Sequence, residues 1–181
     1  MKPAMSFIQI KGFSTARSLY RSLFENNGAC IIFDDCDSIL KDQVAVNILK
    51  GALDSYDERV ISWNSESRGD DDLPRSFSFT GKIIFISNID QNKIDQAIRS
   101  RSMLIDLTMT TDQKLDRMAH LVKADDFMEE YSREVKMDAL DFISSKRSTA
   151  KEISLRTLIA VAKVRSTGGD WKALAEYILC R

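Results

Sequence analysis

The sequence predicts an α/β domain built on a parallel sheet, followed by an all-helical domain. Two short apolar runs carry the first half of that expectation: Cys30-Ile31-Ile32-Phe33 and Ile83-Ile84-Phe85-Ile86. Unbroken apolar runs of this length suit strands buried on both faces of a parallel sheet. A third observation carries the second half. Beyond Thr108 the apolar residues recur at helical spacing, and no further run reads as a strand. The change near 108–111 sets the expected boundary, with an α/β part over 1–108 and a helical part over 109–181.

The elements follow in order. Phe7-Ile8-Gln9-Ile10 is a short strand ended by Gly12. Ser14 or Thr15 can cap a helix whose apolar face is Ala16, Leu19, Tyr20, Leu23 and Phe24, and Asn26-Asn27-Gly28 stops it. A strand over 29–33 comes next. Residues 43–56 read as a helix with Val44, Ile48, Leu49, Ala52 and Leu53 on one side. Val60–Trp63 and Ser76–Phe79 read as strands of a hairpin, with its tip in the Ser-, Gly- and Asp-rich stretch 65–74. The strand over 82–87 ends in Ser87-Asn88. A short helix over 95–100 leads to an expected last strand, 103–107, with Met103 and Met109 as packing residues. Helices are then expected over 111–123, 125–144, 151–166 and 170–180. Their packing stripes include Leu115, Met118, Ala119 and Val122, then Leu155, Leu158, Ile159 and Ala162, then Trp171, Leu174, Tyr177 and Ile178.

Composition limits the function classes. With 26 Lys+Arg against 27 Asp+Glu, the net charge of −1 gives no global basic excess that would point to nucleic acid. The apolar runs are far too short to span a bilayer, and the first residues do not read as a signal peptide. The three cysteines, Cys30, Cys36 and Cys180, have no C-x-x-C spacing and fit reduced thiols. A cytoplasmic protein without membrane contact is the expectation. His120 is the only histidine, and no Cys or carboxylate cluster at ligand spacing accompanies it, so zinc is not expected.

The chemistry concentrates where the first apolar run ends, in Asp34-Asp35-Cys36-Asp37. Open α/β sheets bind ligands at the carboxyl ends of their strands. Adjacent strand residues point to opposite faces, so the two acids can do different work. One can hold a hydrated Mg²⁺ while the other orients a water, the division that nucleotide hydrolysis requires. A buried strand running into a solvated acidic turn is the alternative for this stretch.

Four segments in order resemble those of an AAA+ ATPase core, over most of the chain. Ile31–Ser38 resembles a Walker B segment, and Ile83–Asn88 resembles the sensor 1 strand. Asp95–Ser102 resembles the segment carrying the arginine finger, close to the Ser-Arg-Cys form of clamp loaders. Ile153–Thr157 resembles the sensor 2 helix. The resemblance implies a partial P-loop NTPase parallel sheet with flanking helices and a β-hairpin insertion, followed by an AAA+ lid, with ATP and Mg²⁺ as cofactors. It implies Mg²⁺ on Asp34, with Asp35 beside it as the group that polarises the attacking water. Most relatives carry glutamate there; aspartate is one methylene shorter, which leaves the hydrolysis rate open. Asn88 is implied to hold the water or the γ-phosphate, since an amide both donates and accepts. Arg101, or Arg99 in its place, is implied to reach a neighbouring subunit's site, and Arg156 to reach the γ-phosphate from the lid.

One part of that pattern is missing. No G-x-x-x-x-G-K-[ST] occurs in the chain, so the sequence offers no P-loop nest or lysine for the β- and γ-phosphates. The expectation is an N-terminally truncated core, partnered by a complementing P-loop segment or by copies of itself in a ring-like homo-oligomer. The hairpin resembles one in helicase-related AAA+ proteins, although its Asp70-Asp71-Asp72 tip suits a phosphate backbone poorly. Packing of Trp63 against the sheet is the plainer role. Three functions stay open: an ATPase motor or remodeller acting in an oligomer, a clamp-loader or helicase-loader type replication ATPase with DNA or replication-protein partners, and a non-catalytic assembly module.

Overall fold

The structure, a computed structural model, describes residues 6–64 and 73–180. Of the expected hairpin tip over 65–74, residues 65–72, with the three aspartates, lie outside the described residues. The chain divides into two compact units, Met1–Ile105 and Asp106–Arg181.

The first unit is α/β. Its elements run β1 (Phe7–Lys11), α1 (Ala16–Glu25), β2 (Cys30–Asp34), α2 (Asp37–Lys41), α3 (Gln43–Ala52), β3 (Val60–Ser62), β4 (Ser76–Ser78), β5 (Lys82–Ile86), a 3₁₀ turn (Gln91–Lys93) and α4 (Gln96–Ser100). Strands β1, β2 and β5 form a parallel sheet in the order β1-β2-β5, and β3 pairs antiparallel with β4. The β1–β2 crossover is α1, capped by Thr15, whose hydroxyl accepts from Ser18 N. Helix α3 begins at Asp42, whose carboxylate accepts from Val44 N and Ala45 N.

One face of the sheet makes the core. Ile31 and Phe33 of β2 are fully buried and pack with Leu19, Tyr20 and Leu23 of α1 and Ile48 and Leu49 of α3. Ile8, Ile10, Ile83 and Phe85 join them from the flanking strands, and the Phe33 and Phe85 rings stack at 5.1 Å. Trp63 packs on the same core, its ring 5.9 Å from that of Tyr20, and the Tyr20 hydroxyl donates to Pro74 O at 2.8 Å. Gly81 makes the approach to β5 possible: a Cβ there would lie 2.7 Å from both Ala29 O and the Phe79 ring.

Four expectations for this unit need correction. First, β5 is not buried on both faces: Ile84 and Ile86 are 46% and 52% exposed, because no described element covers that side. Second, 103–107 forms no strand: it finds no sheet partner, and Met103, Ile105 and Leu107 lie open to solvent. Third, Met103 and Met109 are accordingly exposed rather than packed. Fourth, the helix expected over 43–56 stops at Ala52, and α2 before it was not anticipated, its five residues being too few to show a period.

The second unit consists of α5 (Thr111–Leu121), α6 (Arg133–Ser145), α7 (Leu155–Ser166) and α8 (Trp171–Cys180). Thr110 and Gln113 cap α5 reciprocally, while Ser132 and Ser154 cap α6 and α7. Met118, Val122, Ala139, Ile143, Leu158, Val161, Ala175 and Leu179 form its separate core. The helix expected over 125–144 starts only at Arg133. Met128 has a positive φ of 52°, which an α-helix cannot contain, and turns occupy the residues before Ser132. Leu155, Ile159, Leu174, Tyr177 and Ile178 are exposed; α8 packs instead through Ala175 and Leu179. Among the described residues no helix is long and apolar enough to cross a membrane.

Candidate functional site

The parallel register brings the chemistry to one edge of the sheet. Lys11, Asp34 and Ile86 are aligned as the last residues of β1, β2 and β5, so the acids after β2 and the polar residues after β5 emerge side by side. The two adjacent carboxylates serve different neighbours. Asp34 Oδ2 accepts from Gln9 Nε2 at 2.9 Å and pairs with Lys11 Nζ at 3.0 Å. Asp35 N donates to Ile86 O at 3.1 Å, extending the β2–β5 ladder, and Asn88 Nδ2 stands 3.5 Å from Asp35 Oδ1.

Asp35 has a φ of 56°, in the left-handed region that non-glycine residues seldom enter. Aspartate tolerates it better than most residues, and such strain collects at functional sites. The left-handed step ends the strand and directs the chain into Cys36 and α2. Next to it, Ser87 Oγ donates to Asp37 Oδ1 at 2.6 Å and accepts from Ile89 N, tying the end of β5 to the start of α2. Burial pushes the Cys36 thiol above its ordinary range. A backbone hydrogen bond at Asp34 works against that rise, and the charges of Asp34, Asp35 and Asp37 add to it.

Arg99 and Arg101 donate to backbone carbonyls of their own segment. Arg101 is exposed at the end of α4, with Nη1 donating to Ala97 O at 3.1 Å. Arg99 Nη1 reaches Gln91 O at 3.5 Å, while its buried Nε has no partner among the described residues. Arg156 is exposed in the first turn of α7, in the second unit. Asp34, Asp35 and Asn88 are thus brought together within the first unit, and Arg99 and Arg101 are held by backbone carbonyls.

The acids suit a hydrated Mg²⁺, which takes one or two carboxylates and keeps several waters. Among the described residues no three or more His, Cys, Asp or Glu side chains group to enclose a metal ion. The glycine-rich motif that would cradle phosphates does not occur in the sequence. Lys11 and Gln9 are the contributors that reading the sequence missed. Lys11 closes its apolar run as Asp34 closes the next, and pairing the two runs in parallel would have set them opposite each other.

No family model matches the chain. It is 26% identical over 189 residues to an uncharacterized 36.7 kDa protein from the nrdC–mobD intergenic region of Enterobacteria phage T4. That match takes in 94% of this chain and spans 58% of the relative's length.

Proposed function

We propose that the chain is the Walker B and sensor 1 portion of an AAA+ type ATPase that works in an oligomer. Asp34 would hold Mg²⁺, which would supply positive charge against a nucleotide's phosphates, while Asp35 would orient the attacking water and Asn88 would complete that water's hydrogen bonds. The observation that carries the reading is the meeting of Asn88 and Asp35, contributed by neighbouring parallel strands, with Asp34 beside them. Opposed donor and acceptor groups at the carboxyl ends of adjacent strands suit a polarised water. Arg101 is exposed, as a group acting on a neighbouring subunit must be. Arg156 is assigned to the γ-phosphate and the second unit to the lid by the sequence resemblance alone.

The missing phosphate-binding loop favours a second reading, a non-catalytic assembly module that keeps the fold and not the turnover. Titration with a fluorescent ATP analogue, with and without Mg²⁺, tests the first. The expected result is weak binding by this chain and no hydrolysis above background. The Mg²⁺-dependent part should fall about tenfold in Asp34→Asn, the scale of one lost charge-assisted contact. Binding indifferent to Mg²⁺, Asp34 and Asn88 would leave the assembly module standing.

A further inference from the structure

A cavity of about 500 Å³ lies between α3 and β3 in the first unit. Helix and strand touch at one end of it. A Cβ on Gly51 would stand 3.1 Å from Val60 O, a close approach that glycine permits. From that contact the cavity runs past Asn47 and Val44 on the helix and past Ser62 and Asn64 on the strand.

Strand β3 turns its unpaired edge to this space. β4 takes the main-chain groups of alternate residues: Trp63 N donates to Arg75 O at 2.7 Å, and Phe79 N donates to Arg59 O at 2.8 Å. The intervening Val60 and Ser62 therefore point theirs the other way, as Val60 O beside Gly51 confirms. Helix α3 closes over Val60. The N–H and C=O of Ser62 have no strand partner, since β3 and β4 form a sheet of two strands among the described residues. Open edges of this kind accept an added strand.

The lining decides what fits. Charged residues make up 29% of the chain, yet none of the residues around the cavity is charged. A phosphate, a metal ion or a charged side chain would be desolvated there without a counter-charge. A peptide main chain carries donors and acceptors and no charge. Ser62 would pair with it, and Asn47, whose Oδ1 accepts from Gln43 Nε2 at 3.3 Å, keeps its amide hydrogens for a carbonyl. Val44 and Val60, both exposed, offer apolar contact to its side chains. We propose that the cleft between α3 and β3 is a binding site for an extended, uncharged peptide segment of a partner protein, added to the β3 edge at Ser62. None of Asp34, Asp35 and Asn88 lines this cleft, so the site is unaffected if the nucleotide reading fails.

The test is amide hydrogen exchange at Ser62, with the peptide acetyl-Thr-Val-Thr-Val-Thr-amide as the probe. In the chain alone Ser62 should exchange fast, and the peptide should slow it on the order of tenfold. The same peptide with every amide N-methylated, which cannot donate from its main chain, should have no effect. Asn47→Arg, at an exposed position of α3, sets a long charged side chain in the cleft. It should keep the protection at Ile31 and lose the slowing at Ser62. No slowing by the peptide overturns the proposal, and so does equal slowing by its N-methylated form. Slowing by thymidine and not by the peptide would assign the cleft to a small neutral ligand and overturn it too. A Ser62 amide already protected in the chain alone would mean that the chain's own residues close the edge, which also overturns it.

Discussion

Lys11 and Asp34 face each other as register partners on neighbouring parallel strands, their charged groups 3.0 Å apart. The lysine side chain is 67% exposed and the aspartate 20%, so solvent screens much of the attraction. Lys11→Met should cost no more than about 1 kcal/mol in urea unfolding, and the cost should shrink in high salt. The substitution also frees Asp34 for a cation, so Mg²⁺ should raise the melting temperature of Lys11→Met more than that of the unaltered chain. Equal shifts would argue against Mg²⁺ at Asp34.

Asp35 should show a backbone signature. At φ 56° glycine is at ease, asparagine is tolerated and alanine is strained by about 1 kcal/mol. Thermal melts should rank Asp35→Gly at or above Asp35→Asn, with Asp35→Ala lowest. The opposite order would mean that side-chain contacts, rather than the left-handed turn, govern this position.

Gly81 is fixed by crowding. Gly81→Ala sets a methyl against a backbone oxygen and an aromatic ring, both 2.7 Å from the ideal Cβ position. Backbone cannot yield as a flexible side chain does, so a loss of about 2 kcal/mol or more is expected in chemical denaturation.

The α4 cap sets an acid limb. Asp95 accepts from Ala97 N, which holds its carboxyl below the ordinary aspartate range, and Lys50 at 3.4 Å adds to the effect. A lowered folded-state pKa means the stabilisation is present above the unfolded value and is lost as pH falls through the folded one. Stability against pH should therefore drop on the acid side of the ordinary aspartate value. Asp95→Asn should flatten that drop, because the variant already lacks at neutral pH the charge-dependent stabilisation that the aspartate loses in acid.

Thiol reactivity should split one against two. Cys180 is exposed, while Cys30 and Cys36 are buried and burial raises the Cys36 pKa. Under native conditions one thiol should react quickly with a colorimetric disulfide reagent, and the other two only on unfolding. Cys180→Ser should remove the fast phase.

Legibility followed burial. The β2 run is apolar because Ile31 and Phe33 are core residues, and it was readable without further help. The β5 run reads the same way, yet half of it is exposed; hydrophobicity reports the surroundings a strand is suited to, whether or not that layer is present. The stretch 103–107 was misread for the same reason, since a strand needs a partner as well as a pattern. The late start of α6 depends on a left-handed methionine, which no residue preference announces. Asp34 and Asp35 stood out from their place at a strand end and Asn88 through the sensor 1 resemblance, whereas Lys11 became visible only through register.

The two cores carry their own optical labels. The sequence has two tryptophans: Trp63 sits against the α/β core at Tyr20, and Trp171 lies against the helical core beside Phe142. Each indole's emission therefore reports the melting of one half of the molecule. A single unfolding midpoint from total fluorescence blends two events unless they coincide, which undermines all-or-none treatment. Trp63→Phe and Trp171→Phe would separate the two signals, so the loss from any core substitution can be attributed to the half that contains it.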